Sequence, residues 1–134
     1  MGNGLFWANK QIHVNADRVN GRWVYVLDDD DWLTDSHFIE DLKKIESPSY
    51  DIIICKGYIG KRLYPSLWGK AQLRGTIGSP NFIVKKHIFL TNSIHWCKPK
   101  AADFFFFQRA YGNANTYWWN KIVFKAPIGN GMPE

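Results

Sequence analysis

Four consecutive aspartates, Asp28 to Asp31, follow directly on the apolar run Trp23-Val24-Tyr25-Val26-Leu27. Aromatic and β-branched residues at that density predict a short strand, apolar enough to be buried on both faces. Like charges crowded at the end of such a strand cost stability unless something offsets them. A sheet whose strand ends open onto a ligand site accommodates both features.

The flanking residues specify the kind of sheet. Leu5, Ala8, Ile12, Ala16 and Val19 recur at spacings of three and four, predicting an amphipathic helix. Asn20-Gly21 stops it, the glycine supplying a left-handed cap. Asp35 or Ser36 caps a second helix, with Phe38, Ile39, Leu42 and Ile45 as its buried stripe and Lys43-Lys44 near its end. After the break at Ser47-Pro48-Ser49, Tyr50 to Cys55 reads as another buried strand. Helix, strand, acidic loop, helix, strand is the alternation of a parallel, doubly wound α/β sheet. Ligands of such sheets bind beyond the carboxyl ends of the strands, where the aspartates fall.

Residues 56–134 are less regular. Gly57 to Gly60 predicts a strand or hairpin, and Pro65 to Pro80 a loop or lid with a short helical piece around Gly69 to Leu73. Phe82 to Val84 predicts a strand running into a short helix over Lys85 to Leu90. Ala101 to Tyr111 predicts a helix ended by Gly112, and Thr116 to Phe124 one or two strands. The Gly- and Pro-rich tail, Pro127 to Glu134, is expected to be mobile.

Charge divides the chain. Residues 1–55 carry ten acids and five bases, whereas residues 56–134 carry two acids and twelve bases. A cation held by the first half, facing an anion held by the second, uses both. Aromatics make up 16% of the 134 residues, more than a core this small needs, so some rings are expected to line a cleft. No run approaches the ~18 apolar residues of a membrane span. Met-Gly-Asn-Gly lacks a signal-peptide pattern, and Phe6 stands where a myristoylation site wants Ser or Thr. Cys55 and Cys97, without metal spacing, read as buried reduced thiols. These features predict a cytoplasmic location, membrane-peripheral at most.

The offset that Asp28 to Asp31 call for is Mn²⁺ or Mg²⁺, hard cations that take carboxylate oxygens and keep positions for phosphate. The plainer alternative is a solvated acidic turn. From Asn9 to Trp32, a helix, a glycine turn, an apolar strand and Leu-Asp-x-Asp-Asp resemble the central segment of the inverting GT-A glycosyltransferases of family 2. In that family the Asp-x-Asp motif binds a metal and a nucleotide-sugar. The resemblance continues through Phe38 to Glu46, Tyr50 to Cys55 and Asn81-Phe82-Ile83-Val84-Lys85-Lys86, an apolar strand with a basic pair. It ends at Ala102-Asp103-Phe104, similar to the family's Glu-Asp pair whose Asp is the general base. The family's opening βα units have no counterpart here, and Ala102 replaces the first acid of that pair.

The resemblance implies a truncated GT-A-like α/β domain with a mixed, mainly parallel sheet. Residues 1–134 would form one domain: 1–55 part of the nucleotide-sugar site, 56–126 the acceptor side, 127–134 the tail. It implies metal-dependent hexosyl transfer with inversion from a nucleotide-diphospho-sugar, UDP-sugar being the expected donor, to a saccharide or other hydroxyl acceptor. Asp28, Asp29 and Asp30 would bind the nucleotide-sugar. Asp30 would be the direct metal ligand, with Asp28 also serving the metal from a place nearer the ribose.

Asp103 has a second argument. It is the only carboxylate between Cys55 and Glu134, and an inverting transfer needs one base for the acceptor hydroxyl's proton. Its alternative role is as an acid in a helix's first turn, favoured by the dipole. Trp68, His95 and Trp96 are candidate acceptor contacts, and Arg62, Arg74, Lys85 and Lys86 could meet the diphosphate. Three other readings stand beside transfer: an inactive glycosyltransferase remnant, a metal-dependent phosphotransferase or nuclease, and a basic, aromatic-rich nucleic-acid-binding domain. The acid-poor second half speaks against the phosphotransferase, and four aspartates would repel a phosphate backbone, so no nucleic-acid partner is expected.

Overall fold

The computed structural model describes residues 10–98 and 100–128. Its strands are β1 (Trp23–Tyr25), β2 (Trp32–Leu33), β3 (Ile52–Ile59), β4 (Arg62–Tyr64), β5 (Phe82–Lys85) and β6 (Thr116–Ala126). Its α-helices are α1 (Phe38–Ile45), α2 (Lys86–Asn92) and α3 (Ala102–Tyr111). Residues 10–14 add a helical turn. The strands form one sheet in the order β1-β5-β3-β6-β2, with β4 also paired to β3.

The sheet is mixed, as expected, but antiparallel pairings predominate. Among the described strands only β3 and β6 pair in parallel, while β1–β5, β3–β5, β3–β4 and β2–β6 are antiparallel. The cause is β5, which returns after the β3–β4 hairpin and inserts between β1 and β3. Because both run antiparallel to β5, β1 and β3 still point the same way, and β6 points with them.

Alternation along β3 builds the core. Ile52 and Ile54 face Phe82, Val84, Phe89, Phe106 and Phe107 beneath α2 and α3. Ile53 and Cys55 face Phe38 and Leu42 of α1, with Trp119, Val123 and Phe124. All four β3 residues are fully buried, each apolar side chain contributing roughly 1.5–3 kcal/mol by leaving water. Much of the aromatic excess is internal, since Phe106 lies 5.4–5.9 Å from Trp96, Phe89 and Phe82. Gly57 is required by this packing: a Cβ there would lie 2.4 Å from the Phe124 ring. Gly60 turns the β3–β4 hairpin at φ +61°.

Several local expectations are corrected. β1 is half-buried because it is an edge strand, and it ends at Tyr25. The first helical stretch ends at Arg18 with Val19 in an extended conformation, so Gly21 caps nothing; Leu5 and Ala8 lie outside the described residues. In α1 the stripe is Phe38, Leu42 and Ile45, whereas Ile39 is 56% exposed. No side chain caps α1; Asp35 instead accepts the His37 N–H and pairs with Lys121 at 2.7 Å. Gly69 to Leu73 is not helical. Its prolines and glycines leave a loop organised by Gln72, which donates to the carbonyls of Leu67 and Lys70. Of the tail, residues 129–134 lie outside the described residues. No helix among the described residues is long and apolar enough to cross a membrane.

Candidate active site

Shared direction of β1, β3 and β6 gathers their carboxyl ends toward one edge of the sheet. Asp28 to Asp31 follow β1 there, and carry the chain from β1 at one side of the sheet to β2 at the other. The turn is closed by its own bonds: the Asp31 N–H donates to the Asp28 carbonyl at 3.1 Å, and the Asp28 N–H to Asp31 Oδ2 at 2.9 Å. This closure brings carboxylate oxygens of Asp28, Asp30 and Asp31 within 4.8 Å of one another. Loss of solvent and then the charges of Asp30 and Asp29 raise the Asp28 pKa above the ordinary aspartate value. Asp31 is raised too, by loss of solvent and then by Asp28, Asp30 and Asp29, against the opposing hydrogen bond to Asp28.

Three hard oxygen donors at that spacing are of the kind that Mn²⁺ or Mg²⁺ takes. The candidate set differs in one member from the one read in the sequence. Asp28 and Asp30 are in it, Asp31 joins them, and Asp29 lies outside. Nothing local to the four residues separates Asp29 from Asp31, because the choice depends on how the turn closes.

Asp103 comes to the same edge from the other side. The short 3-10 turn Ser79–Asn81 leads into β5 at this edge. Asn81, fully buried, fastens that turn: its Oδ1 accepts the Gly78 N–H at 2.9 Å and its Nδ2 donates to the Cys55 carbonyl at 3.0 Å. The Tyr25 hydroxyl donates to the Pro80 carbonyl, tying β1 to the same turn. The Phe104 N–H donates to Asp103 Oδ1 at 2.8 Å, and the backbone amides of Ser79 and of Asp103 itself add to the stabilisation of the carboxylate. Burial nevertheless pushes the Asp103 carboxyl above the ordinary value, and the charge of Asp28 adds to the rise. The aspartate turn and Asp103 therefore act on one another across this edge. Asn81 and Ser79 were not singled out from sequence, since an Asn and a Ser beside Pro80 read as loop residues.

Other candidates divide. Trp68 is half-buried beside Lys56, whose Nζ lies 4.5 Å from the ring, and meets Trp118 edge-on at 5.0 Å. His95 is half-buried; loss of solvent, then the charges of Arg109 and Lys98, lower its pKa. Trp96 is a core residue, 2% exposed and packed on Phe106, so its ring is not open to an acceptor. Lys85 and Lys86 stand at the end of β1 opposite the aspartates, with Lys85 registered on Trp23 and the Lys86 N–H on the Arg22 carbonyl. They do not meet a diphosphate held at Asp28 to Asp31. Arg62 and Arg74 line a separate cavity of about 490 Å³ with Ser66 and Thr76. Cys55 is inert, its thiol pushed up to about 12 by burial, and Cys97 is half-buried and unpaired.

Helices on both faces of a mixed sheet, with carboxylates gathered at its edge, define an α/β domain. The crystal structure of S. aureus TarS 1-349 in complex with UDP shares this architecture, with a TM-score of 0.68 at 21% identity. The match covers 90% of this chain and 40% of that one, so the chain spans well under half of its structural neighbour. No protein-family model and no curated protein matches the sequence.

Proposed function

We propose that the chain carries the donor and base positions of a metal-dependent, inverting glycosyltransferase that moves a sugar from a UDP-sugar to an acceptor hydroxyl. The carrying observation is the gathering of the Asp28, Asp30 and Asp31 carboxylates within 4.8 Å of one another, on a fold shared with a protein crystallised with UDP. Asp28, Asp30 and Asp31 would hold Mn²⁺ or Mg²⁺, which when bound neutralises charge on the leaving diphosphate. Asp29, outside that set, is left for the donor's hydroxyls.

Asp103 supplies the base. The acceptor oxygen forms a bond to the anomeric carbon as the bond from that carbon to the diphosphate oxygen breaks. The electron pair leaves with the diphosphate, and the acceptor proton passes to the Asp103 carboxylate. A raised pKa makes that carboxylate a better proton acceptor than a solvated aspartate, and the Phe104 N–H fixes its direction. A single displacement inverts the anomeric centre. Trp68 and His95 remain available as contacts for the acceptor.

Thermal unfolding of the chain with UDP, UDP-sugars and Mn²⁺, singly and together, tests the reading. Stabilisation that requires metal and UDP jointly is the expected result. Equal stabilisation by UDP in EDTA, or by a random single-stranded oligonucleotide, would overturn it. In an assay of transfer, Asp103→Asn should lower the rate by ~10²–10⁴ while sparing UDP affinity.

A further inference from the structure

Lys85 and Lys86 do not reach the aspartate edge, and their surroundings suggest a different purpose. About 16 Å of extended chain separates Trp23 from Asp28. At the Trp23 end, Arg22, Trp23, Glu46, Lys85, Lys86 and Leu90 line a cavity of about 610 Å³. Its one carboxylate is already committed. Glu46 accepts from Arg22 through Oε1 at 2.7 Å and from the Trp23 indole N–H through Oε2 at 2.6 Å.

The two ammonium groups are not cancelled. Lys85 donates to the Pro48 carbonyl, a neutral acceptor, and sits 5.8 Å from the Trp23 ring. Lys86 is half-buried, and its ammonium has no hydrogen-bond or ion-pair partner among the described residues. His87, beside them, is directed to Asp51 at 3.9 Å. Two like charges thus share a concave wall with an indole and with Leu90, which is 41% exposed. Such a wall favours a ligand with an anionic head and an apolar body. The cavity exceeds what a bare phosphate fills.

We infer that this cavity is a second ligand site, distinct from the aspartate edge, for an organic phosphate. Its phosphate lies between the Lys85 and Lys86 ammonium groups, and its apolar part rests on Trp23 and Leu90. A soluble nucleotide and a phospholipid headgroup offer the same chemistry, and the test separates them. In EDTA, which silences a metal-dependent donor site, the ¹⁵N-labelled chain is titrated with AMP, and in parallel sedimented with phosphatidylcholine vesicles with and without phosphatidic acid.

Saturable shifts of the Arg22, Lys86 and His87 amides with AMP assign a soluble organic phosphate. Sedimentation only with phosphatidic acid, without AMP shifts, assigns a lipid phosphate. Either response should weaken about tenfold in Lys86→Gln, as expected for one charge-assisted contact, and survive in Lys86→Arg and Asp30→Ala. Absence of both responses overturns the inference. So does a response undiminished in Lys86→Gln, or shifts centred on Asp28 to Asp31.

Discussion

Asp28 to Asp31 and Asp103 share one edge of the sheet, and they are held there in contrasting ways. The aspartate turn hangs between two edge strands and, among the described residues, is closed by hydrogen bonds between its own first and last members. Asp103 accepts from the Phe104 N–H and is stabilised by the Ser79 amide, and Ser79 rides on a turn that fully buried Asn81 clamps to β3. Both carry raised pKa values, for different reasons. The turn is loaded mainly by loss of solvent and by its own like charges, and Asp103 mainly by burial. A cation can relieve the first kind of load and a proton the second. The two halves of the edge are thus suited to different partners, one exchangeable and one transferred during reaction.

Removing the clamp should have the largest effect on this contrast. Asn81→Ala leaves the Gly78 N–H and the Cys55 carbonyl buried without partners, at roughly 1–3 kcal/mol each. Urea unfolding should show a loss of about 3 kcal/mol, and the Asp103 side of the edge should lose its order first. A loss as small as that of an ordinary surface substitution would mean the rigid side is anchored elsewhere.

The second test acts on the loose side. Asp30→Ala removes one of four like charges, so in EDTA its melting temperature should equal or exceed the wild type's. With Mn²⁺ and saturating UDP the order should reverse. The wild type gains about 2.7 kcal/mol at a hundredfold excess over Kd, a rise of roughly 10 °C for a chain of this size, and the variant gains little. Parallel behaviour of the two proteins in both buffers would remove Asp30 from the site.

How much of this edge was legible follows from which interactions are local. The strand before the aspartates forms but stops two residues early, at Tyr25, while the helix from Ala102 and the buried run Ile52 to Cys55 are written in local pattern and form where expected. The position of β5 between β1 and β3 is not, because it depends on a return across the sheet that no neighbouring residues encode. For the same reason Lys85-Lys86 looked like a diphosphate contact and lies instead beside Trp23. Trp96 shows the limit for single aromatics: the residues that bury it, Phe106 above all, are distant enough in sequence to leave no pattern.

A smaller effect is expected from protonation of the rigid side. Burial raises the Asp103 pKa in the folded state above its unfolded value. The stabilisation linked to it is therefore full below the unfolded pKa and is lost as pH rises through the folded one. Asp103→Asn retains one acceptor for the Ser79 and Phe104 amides without the buried charge. In EDTA it should melt above the wild type at pH 8, and the gap should close as acid protonates Asp103. A gap independent of pH would place the load on shape and not on charge.

The smallest effect comes from the residue that launches α3. Ala101 sits in the left-handed region at φ 52°, and its carbonyl accepts the Phe105 N–H at 3.1 Å as the helix begins. An alanine there costs roughly 1–2 kcal/mol, and a glycine would relieve it at the expense of about 0.5–1 kcal/mol of added freedom in the unfolded chain. Ala101→Gly should thus stabilise the chain by under ~1 kcal/mol. Its use lies in combination with Asp103→Asn. If the bonds to Ser79 and Phe104 hold Ala101 in its strained state, relieving the strain should matter less once Asp103 is neutral, and the two changes should fall short of additivity by ~0.5 kcal/mol or more. Strict additivity would mean the strain at Ala101 is fixed by the packing of Ala102, Phe106 and Phe107 alone. The rigid side of the edge would then owe its geometry to the core beneath it and only its charge to Asp103.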